Sequence, residues 1–320
     1  MDTFESYLKE TGWKNYPKCK KYCEIGKTFF IDNEYLEGIY WYYETDQFII
    51  DIHDLFIKKE RTEDSFPNMD SLIFFCSSYI KTANGECFNP YQTLTANTVF
   101  VANMNKTNFR FFLHGNFPYL SVGVKFKQEM INKYIPCHLS NQSETVAHMF
   151  FDTRNLVTKP MEKLANSILN CHMDSPAGEI FFEAKAKEWL SITLNAYLNK
   201  SKRKKISKSD EQSIENVANY INDHFALDIS QKLLEKIAMM SGTKLKNIFR
   251  EKYQMSITEY LQRKRMNIAE NLLSTTELEI KNIAKSVGYT SHSRFSTLFK
   301  KYKGIHPKEV RKLTSSNKEN

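Results

Sequence analysis

No stretch of this 320-residue chain is apolar over the roughly 20 consecutive residues that a bilayer-spanning helix requires. The first residues also lack the basic-then-apolar pattern of a secretory signal. A membrane-spanning helix is thereby excluded, and a cytoplasmic protein is expected. The six cysteines are scattered and do not resemble a secreted disulfide framework, so free thiols are expected. Glycine (10) and proline (8) are scarce, which is compatible with a cytosolic globular protein, as is the 41% apolar composition. At this length the chain has room for two domains.

Charge is unevenly placed. From Lys200 to Asn320 there are 25 Lys and Arg against 13 Asp and Glu, whereas residues 1–199 hold 20 against 24. The basicity of the chain resides in its C-terminal part, for which a polyanion is the natural partner, with binding that weakens steeply in salt. The sign changes near Asn199-Lys-Ser-Lys-Arg-Lys-Lys-Ile-Ser-Lys-Ser209, a polar, aperiodic and basic stretch. This reads as a linker over residues 200–209, between an N-terminal domain of residues 1–199 and a C-terminal domain of residues 210–320.

The C-terminal part carries one helix-turn-helix pattern twice, offset by 50 positions. Leu245, Phe249, Gln254, Met255, Ile257 and Glu259 recur as Phe295, Phe299, Gly304, Ile305, Pro307 and Glu309. In the first unit, Asp228 to Tyr253, the residues Leu233, Leu234, Ile237 and Ala238 share a helical face, and Ser241 is placed to cap the next helix. That helix, Thr243 to Lys252, points Leu245, Ile248 and Phe249 inward at i, i+3, i+4. Thr243, Lys244, Lys246, Asn247 and Arg250 are left outward, suited to base edges and phosphates.

In the second unit, Glu279 to Val287 forms a short helix with Ile280, Ile283, Ala284 and Val287 inward, and Gly288 permits the turn. A further helix starts at Ser291 or Ser293 with Phe295, Leu298 and Phe299 inside. His292, Ser293, Arg294, Ser296, Thr297, Lys300 and Lys301 then face outward as DNA contacts. Thr258 to Leu273, without Gly or Pro, reads as the long helix joining the units. Either unit alone is equally compatible with a plain helical bundle bearing a solvated basic face; the repeat and the charge favour DNA.

These residues resemble the DNA-binding domain of the AraC/XylS family of bacterial transcriptional regulators. The matching pieces are Ser241-x-Thr-Lys-Leu245-x-x-x-Phe249, Tyr260-Leu-x-x-x-Arg265-Met-x-x-Ala269-x-x-Leu272-Leu273, Ile283-Ala-x-x-Val287-Gly-Tyr289, Phe295-Ser-x-x-Phe299-Lys-Lys301 and Gly304-x-x-Pro307-x-x-x-Arg311. They span about a quarter of the chain. Three positions depart from the pattern: Glu235 stands where a small apolar residue is usual, and Met239 and Gln254 stand where Gly is usual. The resemblance implies double-stranded promoter DNA and RNA polymerase as partners, and activation as the usual outcome. It also implies base contacts from Thr243, Lys246, Asn247, His292, Ser293 and Thr297.

Strand-like runs rich in aromatic and β-branched residues mark the N-terminal half: Ile39–Tyr43, Gln47–Ile57, Leu72–Ile80, Thr98–Ala102, Phe109–His114 and Tyr119–Phe126. Asn84-Gly85 suggests a tight turn. Helices are expected over Pro160–His172 and Gly178–Asn199. The second is apolar over more than a narrow stripe, so it packs on the sheet and could also pair with a second subunit. Many short strands followed by helices suggest a β-barrel or sandwich and then a helical segment, an α+β class with two domains; the resemblance implies a cupin-like N-terminal β-barrel with dimerisation helices. Alternate members of Tyr40-Trp41-Tyr42-Tyr43 face one side of a strand and could line a cavity for a small-molecule effector.

Catalysis is not expected. None of the eight histidines forms the His-x-His that metal-dependent cupin enzymes carry, and no Ser/His/Asp motif, Walker loop or dinucleotide fingerprint appears. Cys19-x-x-x-Cys23, Cys137-His138 and Cys171-His172 lack two further spaced ligands and read as buried or incidental, so no metal and no cofactor are implied. The sequence therefore reads as a homodimeric, effector-sensing, DNA-binding transcription regulator. A regulator controlled by a protein partner, and a cupin-type metalloenzyme with an attached DNA-binding module, are the rival readings.

Overall fold

Alternating apolar positions between residues 14 and 126 build eleven strands among the described residues of a computed structural model, which describes residues 4–63, 72–104, 109–135, 143–200, 206–253 and 255–315. The strands are β1 (Lys14–Asn15), β2 (Lys27–Asp32), β3 (Leu36–Glu44), β4 (Phe48–Ile57), β5 (Arg61–Glu63), β6 (Phe75–Thr82), β7 (Asn84–Phe88), β8 (Gln92–Thr95), β9 (Thr98–Asn103), β10 (Arg110–Leu113) and β11 (Phe117–Phe126). They form a seven-stranded sheet in the order β1-β2-β3-β4-β11-β6-β9 and a four-stranded sheet in the order β5-β10-β7-β8, with antiparallel pairing throughout.

Of the barrel and the sandwich, no closed barrel is found among the described residues: each described sheet ends in an edge strand, and the two sheets face one another. Asn84-Gly85 is not a tight turn either. Only Ala83 separates β6 from β7, and there the chain passes from the large sheet to the small one. Gly85 serves strand contact: a Cβ on it would stand 2.5 Å from the Phe112 carbonyl oxygen of β10. The expected strand from Leu72 begins at Phe75, while β1, β2, β5, β7 and β8 are not among the expected runs.

The period of two divides the large sheet into two faces. Phe48, Ile50 and Ile52 of β4 and Val122, Val124 and Phe126 of β11 are buried beneath the helices Ser143–Thr153 (α3), Thr158–Leu169 (α4) and Ala177–Lys200 (α5). Trp189 of α5 donates its Nε1 hydrogen to Ser77 Oγ at 3.0 Å within this core. The opposite face, carrying Phe29, Tyr40, Tyr42, Ile49 and Phe100, packs on Leu94 and Cys87 of the small sheet and on the helix Phe4–Glu10 (α1). A short helix, Gln128–Tyr134 (α2), follows β11. α4 starts two residues before the expected Pro160 and ends at Leu169; α5 matches the expected span within one residue at each end.

Two compact units divide at Lys202 and Arg203, within residues 201–205 of the expected linker, which lie outside the described residues. The second unit is all helical: α6 (Lys208–Asp223), α7 (Gln231–Ala238), α8 (Gly242–Tyr253), α9 (Ile257–Thr275), α10 (Ile280–Ser286), α11 (His292–Lys303) and α12 (Pro307–Ser315). Ile214, Val217 and Ile221 of α6 join Leu234, Ala238, Leu245 and Phe249 in one core. Leu233, expected on the inner face of α7, is instead 36% exposed.

Candidate nucleic-acid interface

Each helix-turn-helix is built from the same local devices. Both first helices, α7 and α10, end by the same paired bonds: the Met239 and Gly288 amides donate to the carbonyls of Lys236 and Lys285, and the Met240 and Tyr289 amides donate to those of Glu235 and Ala284. This i→i−5 closure needs a left-handed residue, which is Met239 (φ 53°) in the first unit and Gly288 (φ 84°) in the second. Ser241 and Ser291 then cap the second helices, their Oγ atoms accepting from the amides of Lys244 (3.4 Å) and Arg294 (3.3 Å). The start of the later helix is thus Ser291, not Ser293.

The inner faces of the second helices bury Leu245 and Phe249 in α8 and Phe295 and Phe299 in α11, all at 0% exposure. This leaves Thr243, Lys244, Lys246, Asn247 and Arg250 of α8 exposed, together with His292, Ser293, Arg294, Thr297, Lys300 and Lys301 of α11; Ser296 is half-buried. Several of these side chains also have intramolecular duties: Lys244 Nζ pairs with Asp210 Oδ1 of α6 at 2.7 Å, the Thr297 hydroxyl donates to the Ser293 carbonyl at 3.1 Å, and Lys301 Nζ lies 5.4 Å from the Tyr302 ring centroid. Lys252, next to the exposed row, is held by Glu215 (2.6 Å) and Glu211 (3.2 Å).

The long helix α9 fastens the units. Its Met266, Ala269 and Leu273 are buried, and it contacts α11, α12, α10 and α8. Arg265 donates to three carbonyls: Phe225 (2.7 Å) and Leu227 (2.9 Å) between α6 and α7, and Gly288 (3.2 Å) in the second turn. Its guanidinium lies 5.2 Å from the Tyr289 ring centroid. Lys303 of α11, although 4% exposed, is neutralised by Glu270 at 2.6 Å.

Residues 234–313 match the family model described as a helix-turn-helix domain. The chain is 29% identical over 136 residues to the arabinose operon regulatory protein of Escherichia coli (strain K12), covering 40% of this chain and 46% of that protein. It is 23% identical over 209 residues to the HTH-type transcriptional activator RhaS of Escherichia fergusonii, covering 65% and 69%. These matches show that residues 234–313 form a helix-turn-helix domain of the AraC type. The match spans about half the length of the first of these relatives. Among solved structures, the C-terminal domain of AraT, a response regulator from Geobacillus stearothermophilus, is 30% identical with a TM-score of 0.30, covering 34% of this chain and 88% of that one.

Two departures from the AraC/XylS pattern now have a physical account. Met239 occupies the left-handed turn position usually held by Gly, with its side chain 90% exposed. Glu235 is accommodated because the facing residue of α8 is Gly242: a Cβ there would stand 2.3 Å from Glu235 Oε1, which accepts from Gln231 Nε2 at 2.7 Å. Gln254 lies outside the described residues.

The N-terminal unit contains a second candidate site that the sequence only grazed. A cavity of about 300 Å³ lies between the sheets and beneath α1, with Tyr40 of the aromatic run in its wall. Trp41 and Tyr43 face the other way, onto Phe182 of α5. Behind the cavity wall Asp51, fully buried, accepts from Lys125 and from the Tyr40 hydroxyl (2.8 Å), and His53 Nδ1 lies 3.5 Å from it and 3.3 Å from Ser121 Oγ. Burial alone would raise the Asp51 carboxyl, but Lys125 and His53 outweigh it and hold it below the ordinary carboxylate value. Burial pushes the His53 imidazole down to about 4 against the opposing pull of Asp51, so it is neutral at pH 7.

Among the described residues, no group of three or more His, Cys, Asp or Glu side chains could hold a metal ion. Cys19, Cys23, Cys76, Cys87 and Cys171 are free thiols. Cys137-His138 lies outside the described residues. No helix of the described residues is long and apolar enough to cross a membrane.

Proposed function

We propose that the chain is a sequence-specific transcription regulator that reads promoter DNA with α8 and α11. The observation carrying this reading is the repeated capped helix, with buried Leu or Phe on one face and exposed Lys, Arg, Asn, His and Thr on the other, inside a domain matched over residues 234–313. Exposed cations attract phosphates whatever the sequence, while Thr243, Lys246, Asn247, His292, Ser293 and Thr297 are the side chains assigned to base edges.

In this reading the N-terminal unit senses an effector in the cavity between its sheets and pairs two chains through α5, whose Ile180 and Leu198 are 68% and 49% exposed. Effector binding shifts the DNA-binding domain between states that differ in DNA affinity or in the geometry presented to RNA polymerase, with activation as the output. The protein acts in the cytoplasm as a binding protein and carries out no catalysis. Fluorescence anisotropy on genomic promoter fragments at two salt concentrations tests the core of the reading: a specific complex survives moderate salt, whereas attraction to a basic surface alone does not. Sedimentation of the full chain, with and without Ile180→Glu, tests the pairing.

A further inference from the structure

The cavity between the sheets has a marked chemical asymmetry. Its walls carry aromatic rings from several elements, among them Phe4 of α1, Trp13, Tyr40 of β3, Phe100 of β9 and Phe111 of β10. These rings pack tilted against one another, with centroids 5.6 Å apart for Trp13 and Tyr40 and 5.2 Å for Phe100 and Phe111. Every ionisable side chain of basic type in the lining, Arg61, His53 and Lys125, meets no Asp or Glu in that lining. Asp51 lies behind the surface, at 0% exposure.

Lys125 is the unusual member. Its side chain is 8% exposed, and Asp51 is its one hydrogen-bond acceptor among the described residues, so an ammonium with three hydrogens has capacity left at the cavity surface. Its nitrogen also lies 5.6 Å from the Tyr40 ring centroid. A buried ion pair is a poor source of stability, because desolvating two charges offsets their attraction. Asp51 Oδ1 accepts no hydrogen bond among the described residues, which makes a purely structural role for the pair still less favourable. The space, about 300 Å³, lies at the lower end of the range of small-molecule pockets.

We propose that this cavity binds a compact aromatic carboxylate, with its ring among Phe4, Trp13, Tyr40 and Phe111 and its carboxylate on Lys125. Flat rings make edge and offset contacts with such a wall, and a carboxylate accepts the ammonium hydrogens that Asp51 leaves unused. Lys125 stays beside Asp51, whose charge is shared with the Tyr40 hydroxyl, so the lysine need not leave one anion to reach the other. This assignment rests on the reading of the N-terminal unit as a sensor and names the ligand class for it.

The test uses the full chain with phenylacetate, 3-phenylpropionate and indole-3-acetate, their primary amides, and octanoate. Affinity is measured by calorimetry and by the change in tryptophan emission, with Trp13→Phe as the optical control. The proposal expects at least one aromatic acid to bind tenfold or more tightly than its amide and than octanoate, and Asp51→Asn/Lys125→Met to lose that preference. Equal affinity for acid and amide, preference for octanoate, an unchanged preference in the double variant, or no binding of any acid at millimolar concentration overturns it. If the double variant does not fold, the acid-to-amide ratio on the native chain decides alone. DNA affinity is recorded separately: an acid that binds without altering it leaves the ligand class standing and sinks the sensor reading, whereas a different metabolite that alters it does the reverse.

Discussion

The Arg265 guanidinium donates to the Gly288 carbonyl at 3.2 Å, which ties the linker helix to the turn of the second reading unit. The same side chain holds Phe225 and Leu227, so one residue fixes the second turn against the segment that leads into the first unit. Both the fork of donors and the flat face over Tyr289 are properties of arginine that lysine lacks.

Replacing Arg265 by Lys removes the fork that serves three carbonyls, two of them part-buried. The expected cost is about 2 kcal/mol of stability in the C-terminal unit. Affinity for a full operator should fall more than affinity for random DNA of the same length. Chemical denaturation and anisotropy titrations measure the two effects; an unchanged midpoint would show that Arg265 does not clamp the units.

The two turns predict opposite responses at equivalent positions. Met239→Gly relieves a side chain from a left-handed backbone and should stabilise the first unit by roughly 0.5–1 kcal/mol, after the entropy that glycine adds to the unfolded chain. Gly288→Ala places a Cβ at φ 84°, 2.5 Å from the Ala226 carbonyl oxygen, and should destabilise by more than about 2 kcal/mol. Thermal unfolding checks both; the same sign for the two would refute the shared turn geometry.

On the proposed DNA face, Asn247→Ala and His292→Ala should each cost roughly 1–3 kcal/mol on the specific site if the residue makes a bidentate base contact, while Lys300→Ala should weaken all sequences alike. Asp210→Asn releases Lys244 from its ion pair and should raise affinity for any duplex several-fold, most visibly at low salt. Parallel titrations on operator and scrambled duplexes separate these effects. Uniform losses from all three alanine variants would sink the base-reading assignment.

Acid should loosen the N-terminal unit. The folded-state value of His53, about 4, lies below its unfolded value near 6.5, so the unfolded chain binds the extra proton over that interval. The associated stability is complete above about pH 6.5 and is lost as pH falls toward 4. Asp51, held low by Lys125 and His53, adds loss at still lower pH. Melting curves from pH 7.5 to 4.5 on the chain and on His53→Gln test this. The variant should show a shallower decline, and identical slopes would assign the acid sensitivity to other groups.

Helical repeats were legible because each reading helix declares itself locally, through Leu or Phe at i and i+4, a Ser cap and outward Lys or Arg. Even the departures at Glu235 and Met239 were visible, but their accommodation was not: Gly242 facing Glu235 is a contact between helices. Whether the strands close into a barrel or pack as two sheets was not legible, for the same physical reason. Pairing of β4 with β11 joins residues some 70 positions apart, and strands as short as β1 and β5 carry no usable periodicity. Gly85 looked like a turn residue because the carbonyl it accommodates, on Phe112, lies remote in sequence. The cavity did leave a trace: Asp51, His53 and Lys125 are polar residues within strand runs rich in apolar ones, at positions that share one face of the sheet.

The most direct test of the central claim is a pull-down of genomic DNA fragments by the full chain, repeated at low and at moderate salt. A two-unit reader of sequence should enrich one small set of promoter fragments, still retained at moderate salt and lost in Asn247→Ala/His292→Ala. Uniform recovery of fragments that disappears with salt, unaltered by that double substitution, would contradict it.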